Sequence, residues 1–273
     1  MSKNIKLWIV HCILVIFVII TILPLVWMLL SSFKMNSEIT SITPTFIPKT
    51  FTFKNYLNVQ KNFNFLRYFA NSLFITVVIT GIVIYTSTIS GFVFAKYEFR
   101  GKNILFSIIL GTMMIPWCVT IIPRYSMVLA VDGLDTYLAV IIPAAVSGFG
   151  IFMMKQSIVT IPEEMLEAAR IDGASEWFIF HKIILPLSQN AISSIAIFQF
   201  LWSWEDYLWP YLIFSSEEKQ VLAVGLKNFN GRYGTDYGGL FAATTISIIP
   251  VIIVYLIFQK RFIDGIAASS VKG

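Results

Sequence analysis

The chain has 273 residues, of which 57% are hydrophobic, 15% aromatic and only 13% charged, against about 25% charged in a typical soluble domain. With a mean hydropathy of +0.77, it reads as an integral membrane protein rather than a soluble enzyme or binding module. The net charge of +5 is scattered between apolar runs and forms no basic stripe, so it excludes a nucleic-acid footprint and suits the cytoplasmic face of a bilayer.

Taken in chain order, Lys3 and Lys6 precede an uncharged run, Leu7–Leu30, of 24 residues. That is more than the roughly 20 residues a spanning helix needs and too long for a signal-peptide core. It predicts a retained first span at 7–30, kinked at Pro24, with His11 buried and bonded to a neighbouring helix. A polar connection, 31–67, carries Pro44, Pro48 and several lysines and is long enough to be folded against something. The second span is expected at 68–95, where Gly81, Gly91 and many Ser and Thr residues suit close helix packing in lipid. A short basic loop, KYEFRGK (96–102), leads to a third span at 103–123 with Pro116 near its middle. The fourth, 136–154, is interrupted by Pro143, Gly148 and Gly150, the last two marking a packing or kink site.

A polar island at 157–187 then breaks the apolar pattern. Thr160 and Glu163 have the spacing of a capping box, with Pro162 tolerated in the first turn. Glu163, Glu164 and Glu167 sit toward the positive end of the helix dipole. Asp172-Gly173 supplies a left-handed stop. A second segment, from Ser175 to Leu185, carries Trp177, Phe180 and Ile184 at helical spacing and ends before Pro186. The expected product is a helical hairpin with an apolar side too small to bury by itself. It therefore calls for a partner. A fifth span at 187–212, a glycine-rich loop at 215–236 and a sixth span at 237–259 complete an all-α, six-span, single-domain chain. Cys12 and Cys118 both lie in apolar runs and offer neither a disulfide framework nor metal spacing.

No phosphate loop, no H-E-x-x-H and no Ser/His or paired-Asp constellation occurs. Glu205 and Asp206 are the acids closest to a span. Glu205 lies about 27 Å along a helix from Leu187, close to an interface where water can reach a carboxylate. Gln199, Trp202 and Asp206 recur at i, i+3 and i+7 and share a face. An aromatic ring beside amide and carboxylate groups would suit a sugar, and an interfacial aromatic belt would produce the same composition.

The hairpin residues also carry a resemblance. Glu167-Ala168-Ala169, three residues, Gly173, nine residues and Ile183-x-Leu185-Pro186 resembles the EAA signature of bacterial ABC-importer permeases. The tail Gly265–Gly273, GIAASSVKG, is otherwise a flexible, small-residue terminus. It resembles the G-x-x-A-x-x-V-K-G ending of carbohydrate-class permeases related to the maltose system's second permease, and SGFVFAKYEFRGKN (90–103) is similar to the same subfamily. WSWEDYLWP (202–210) resembles their W-N-D-x-x-x-P region, with Glu205 in place of Asn. The likeness runs from Asn71 onward and is weakest through 31–67.

What the resemblance implies is a type I ABC-importer transmembrane domain. Glu163, Glu167, Ala168, Ala169, Asp172, Gly173, Ile183, Leu185 and Pro186 would couple to an ATPase, and Gly265, Ala268, Val271, Lys272 and Gly273 would reach between ATPase subunits. Expected partners are a second permease, two ATPase subunits, an extracytoplasmic solute-binding protein, lipid and a sugar, probed by loop 215–236. The chain itself is expected to be non-catalytic and to hold no cofactor or metal, ATP and Mg²⁺ residing in the ATPases. A bulky residue at Gly173 should then uncouple or detach the ATPase. Placement in a bacterial inner membrane with both termini cytoplasmic puts 11 of the 20 basic residues inside. The alternatives are an ion-gradient secondary transporter, for which neither repeat nor midplane charge is apparent, and a membrane enzyme, which lacks its constellation.

Overall fold

The computed structural model describes residues 3–231 and 234–270. It is helical nearly throughout and divides into two compact units, one of residues 1–66 and 225–249, the other of 67–224 and 250–273. Three helices are each long and apolar enough to cross a membrane, and six spans result when each of three bent pairs counts as one.

In the first unit, α1 (Lys3–Ser31) exposes its apolar side chains all round, the pattern of a helix solvated by lipid. His11 is exposed and its Nδ1 lies 2.7 Å from Leu7 O of the same helix, not on a neighbouring helix as expected. The connection carrying α2 (Asn36–Ile39) and α3 (Lys54–Asn62) folds on itself. Lys34 is almost fully buried and donates to the Thr45 carbonyl, while Asn55 Nδ2 donates to Ser32 O at 2.7 Å and Lys34 O at 2.8 Å. Phe33 packs against Phe53 and Tyr56, with ring centroids 5.3 and 5.2 Å away. The strands β1 (Asn230–Gly231) and β2 (Gly234–Thr235) pair antiparallel ahead of the last helix, α14 (Tyr237–Ser270).

The second unit is organised around α4 (Phe65–Lys96), whose 32 residues span about 48 Å at 1.5 Å per residue. In place of one third span at 103–123 stand α5 (Lys102–Met114) and α6 (Trp117–Ala130), bent by 104° at the break. Pro116 forces this: it disfavours helical geometry at the preceding residue, and Ile115 is extended at φ −83°, ψ 117°. The fourth span becomes α7 (Tyr137–Ala144) and α8 (Gly148–Val159), bent by 41°, with Ser147 Oγ accepting from Gly150 N at the restart. The fifth contains α12 (Gln189–Glu205), entered through a 76° bend from the helical run Glu176–Leu187, and is followed by α13 (Leu208–Ile213).

Loop residues 215–222 are anchored within this unit. Asp135, at φ +57°, accepts from Ser215 N and Ser216 N at 3.0 Å each, from Ser216 Oγ at 2.9 Å and from Lys219 Nζ at 2.9 Å. The Ser216 N–H, then Lys219, hold this carboxyl down at about 2. A depressed carboxylate favours the folded state above its ordinary pKa near 4, and that favour fades as pH falls through about 2. Pepsin nicking within 215–222 should therefore rise between pH 4 and 2, and Asp135→Asn should be nicked across that whole window. Identical cleavage of both proteins at pH 4 would sink the assignment.

Candidate functional site

The polar island forms the expected hairpin, with different caps. Thr160 ends α8 instead of starting the next helix, and its hydroxyl donates to Ser157 O at 2.7 Å. Helix α9 (Glu163–Ile171) begins after Pro162 without a side-chain cap. The capping box fails because Glu163 is drawn to two cations. Lys96 Nζ lies 3.3 Å from its Oε2 and Arg170 Nη1 3.1 Å from its Oε1. The turn itself is as expected: Gly173 has φ +81°, with Ala174 N bonded to Ala169 O at 2.9 Å and Gly173 N to Arg170 O at 3.0 Å. That is the paired bonding of a Schellman stop. A Cβ on Gly173 would meet nothing within 4 Å. The cost of Gly173→Ala is then confined to the left-handed backbone, about 1–2 kcal/mol. The variant should lower the thermal midpoint modestly yet keep the hairpin's ion pairs, and an unaltered midpoint would contradict the strain. The uncoupling expected of a bulky residue here would therefore rest on that backbone strain and not on packing.

Helix α10 (Glu176–Ile179) is capped by Ser175 Oγ, which accepts from Phe178 N at 3.2 Å. It does not stop before Pro186. A π turn, Phe180–Ile184, leads into α11 (Leu185–Leu187), and this wider turn accommodates the proline ring and the carbonyl it would otherwise strike.

The hairpin's apolar side also finds its partner within the chain. Leu166, Ile179, Phe180 and Ile184 are buried in one core with Val83 and Phe92 of α4 and Met154 and Ile158 of α8. Trp177, assigned to that side from spacing, is 59% exposed. Around this core runs a polar lock that spacing did not reveal. Arg170 Nε donates to Glu176 Oε1 at 2.8 Å, the Tyr97 hydroxyl donates to Glu176 Oε2, and the buried Lys96 ammonium adds a bond to Ile161 O. Glu176 is held below the usual carboxylate range, first by Arg170 and then by Tyr97. Burial, then Glu176, pushes the Tyr97 phenol up to about 12. The only sequence sign of Lys96 and Tyr97 was the likeness at 90–103.

The other signature residues fall on two surfaces. Glu167, Ala168, Asp172, Gly173 and Pro186 are exposed, whereas Ala169, Ile183 and Leu185 pack against the core. Beside the former, Met165 is 44% and Ile171 86% exposed. The tail residues Gly265 and Ala268 lie on α14, which continues to Ser270 in place of the flexible terminus expected. Val271, Lys272 and Gly273 lie outside the described residues.

A cavity of about 950 Å³ opens in the same unit toward the other end of α4, lined by Ser72, Ile75 and Ile79 of that helix. Gln199, Trp202 and Asp206 all face it. Trp202 stacks on Phe198 with centroids 5.9 Å apart and meets Phe149 edge-on at 5.4 Å. Gln199 Nε2 donates to Ser203 Oγ at 3.0 Å. Asp206 lies just past the end of α12, where its Oδ1 accepts from Trp209 N at 3.3 Å. The residue missed is Arg124. It follows the expected end of the third span at 123, yet it sits inside α6 on the cavity wall, its guanidinium 5.4 Å from the Trp209 ring centre and bonded to Pro143 O at 2.9 Å. Among the described residues no cluster of His, Cys, Asp or Glu could hold a metal ion.

Comparison with known proteins adds to this geometry. A family described as binding-protein-dependent transport system inner membrane component matches residues 87–267. The chain is 34% identical over 257 residues to the arabinooligosaccharides transport system permease protein of Halalkalibacterium halodurans, covering 93% of this chain and 92% of that one. It is 31% identical over 271 residues to the diacetylchitobiose uptake system permease protein of Streptomyces coelicolor, covering 96% and 88%. Among solved structures it resembles a chain of a bacterial ABC transporter involved in the import of the acidic polysaccharide alginate, with a TM-score of 0.84, 26% identity and coverage of 96% and 99%.

Proposed function

The chain belongs to the binding-protein-dependent transport system inner membrane components, the permeases of ABC importers, and from that premise we propose how this sugar-importer permease is driven. Its substrate is an oligosaccharide, handed over by an extracytoplasmic binding protein. A second permease completes the pathway, and two ATPase subunits supply ATP and Mg²⁺ chemistry that this non-catalytic chain does not perform. Both termini and the hairpin face the cytoplasm, and loop 215–236 faces the binding protein. The tail from Gly265 reaches toward the ATPases.

One observation carries the mechanism: the hairpin is bound on one side and open on the other. Its inner side shares a core with α4 and α8, and the Lys96–Glu163–Arg170–Glu176–Tyr97 lock ties it to the end of α4. Its outer side presents Met165, Glu167, Ala168 and Ile171 to a partner. An ATPase that grips the outer side and moves on nucleotide binding carries α4, α8 and the run into α12 with it. Access then switches between two states biased by nucleotide.

The test uses the assembled importer with Cys12 and Cys118 replaced by Ser. Ile171→Cys should crosslink to an ATPase subunit and react with membrane-impermeant thiol reagents only from the cytoplasmic side. Labelling from the outside, or ion-driven uptake by the chain alone, would favour a secondary transporter.

A further inference from the structure

We propose that the cavity beside α4 is a saccharide subsite belonging to this subunit and that it selects uncharged sugar units over uronates; the proposal rests on the permease reading above. Its volume of about 950 Å³ falls within the range of small-molecule sites, roughly 300–1,000 Å³. Its chemistry is that of a sugar site. Trp202 is 49% exposed and is held by Phe198 and Phe149, so an aromatic face is available at a fixed orientation. Rigid aromatic area of this kind binds at low entropic cost. Around the cavity stand one amide, Gln199, the hydroxyls of Ser72, Ser147, Ser203 and Tyr207, two carboxylates, Glu205 and Asp206, and one guanidinium, Arg124. Together they supply donors and acceptors for several sugar hydroxyls. Ile75, Ile79 and Val140 close the rest of the wall with apolar surface that lowers the local dielectric.

Charge decides the class of sugar. The wall carries one basic and two acidic side chains, Arg124 against Glu205 and Asp206, a formal net charge of −1. The single cation is not free to clamp an incoming acid. Arg124 is fixed by Pro143 O and by the Trp209 ring, and Trp209 is itself pinned through Nε1 to Ala139 O at 3.1 Å. Among the described residues no ion pair joins Arg124 to either carboxylate. Two carboxylates, Glu205 and Asp206, thus line the cavity beside one cation that is already held by the wall. A uronate unit would bring a third carboxylate beside two others in a partly apolar enclosure, where like charges repel strongly. A neutral pyranose or furanose unit accepts and donates to the same groups without that penalty.

The experiment measures binding to the assembled importer in lipid nanodiscs without the binding protein, so that only the membrane subsite reports. Saturation-transfer NMR is recorded with a panel of neutral oligosaccharides, built of pentoses, hexoses or N-acetylhexosamines, and with an oligouronide of matched length. At least one neutral oligosaccharide should bind, and the oligouronide should bind about tenfold more weakly or worse. Trp202→Ala should abolish the neutral signal, and Trp202→Phe should restore part of it. The double variant Glu205→Gln, Asp206→Asn should narrow the gap between the two sugar classes. Absence of binding across the panel, a signal indifferent to Trp202→Ala, or an oligouronide that binds as well as the best neutral sugar would each overturn the subsite. ATPase copurification with the same variants keeps the two readings apart. A complex that retains its ATPase but fails these measurements sinks the subsite alone, whereas a chain that recruits no ATPase sinks the permease reading first.

Discussion

Arg170→Ala is expected to cut ATP-driven sugar uptake about 5- to 150-fold, the range that 1–3 kcal/mol of lost coupling produces, while the ATPase stays bound. Among the described residues Arg170 is the one cation ion-paired with both arms of the hairpin, reaching Glu163 at 3.1 Å on one and Glu176 at 2.8 Å on the other. Its direct contribution to stability is small. The side chains involved are 32%, 41% and 47% exposed, and pairs at such exposure contribute about 0–1 kcal/mol each. What truncation removes is rigidity. Without the guanidinium the first arm keeps only Lys96 and the second only Tyr97, so a push on the exposed face is spent in flexing the turn before α4 moves. Arg170→Lys should not rescue, because a single ammonium cannot reproduce a planar fork that donates in two directions. Vesicle uptake and ATPase activity measured side by side decide the matter. Hydrolysis that persists while uptake falls supports a lever, and a parallel fall in both with loss of the ATPase would mean that Arg170 merely holds the docking surface together.

Much of this architecture was legible from the sequence for a simple reason: apolar runs longer than a bilayer is thick leave a chain few options. The apolar runs, the hairpin and its Gly173 stop are all local features, and the hairpin turns at Gly173 as expected. The discrepancies are tertiary. Thr160 and Glu163 have capping-box spacing, but Lys96 and Arg170 compete for the carboxylate, and no local rule sees a partner 67 residues upstream. Pro186 reads as a stop, and the π turn before it lets the helix pass. Gln199, Trp202 and Asp206 share a helical repeat and do meet at one cavity. Arg124 escaped notice because it follows Pro123, where the third run was taken to end. The bend at Pro116 restarts the helix and carries this arginine inward.

Gly91→Ala should be among the most damaging single-methyl additions in the second unit, and Gly81→Ala nearly silent, although composition treats the two glycines alike. Both lie on α4. A Cβ on Gly81 would meet nothing within 4 Å, whereas one on Gly91 would lie 2.6 Å from Met154 Cβ and 2.9 Å from Lys155 N. These are backbone or near-backbone atoms of α8, which no rotamer change can withdraw, so the two helices must separate. Four residues earlier on α4, Ser87 meets Gly150 of α8, whose added Cβ would come within 2.2 Å of the Ser87 hydroxyl. Small residues four apart on α4 thus lie against α8, Ser87 at Gly150 and Gly91 at Met154, the arrangement that lets helix backbones approach closely in lipid. Overpacking such a contact costs about 1–3 kcal/mol or more. Gly150→Ala should be milder than Gly91→Ala, since a hydroxyl can rotate away, and Ser87→Gly should rescue Gly150→Ala without helping Gly91→Ala. The crossing lies between the polar lock and the cavity, so the same substitution tests more than folding. If α4 and α8 must travel together, any Gly91→Ala protein that reaches the membrane should hydrolyse ATP with depressed uptake. Thermal midpoints and uptake that track Gly81→Ala instead would show that the crossing carries neither stability nor motion.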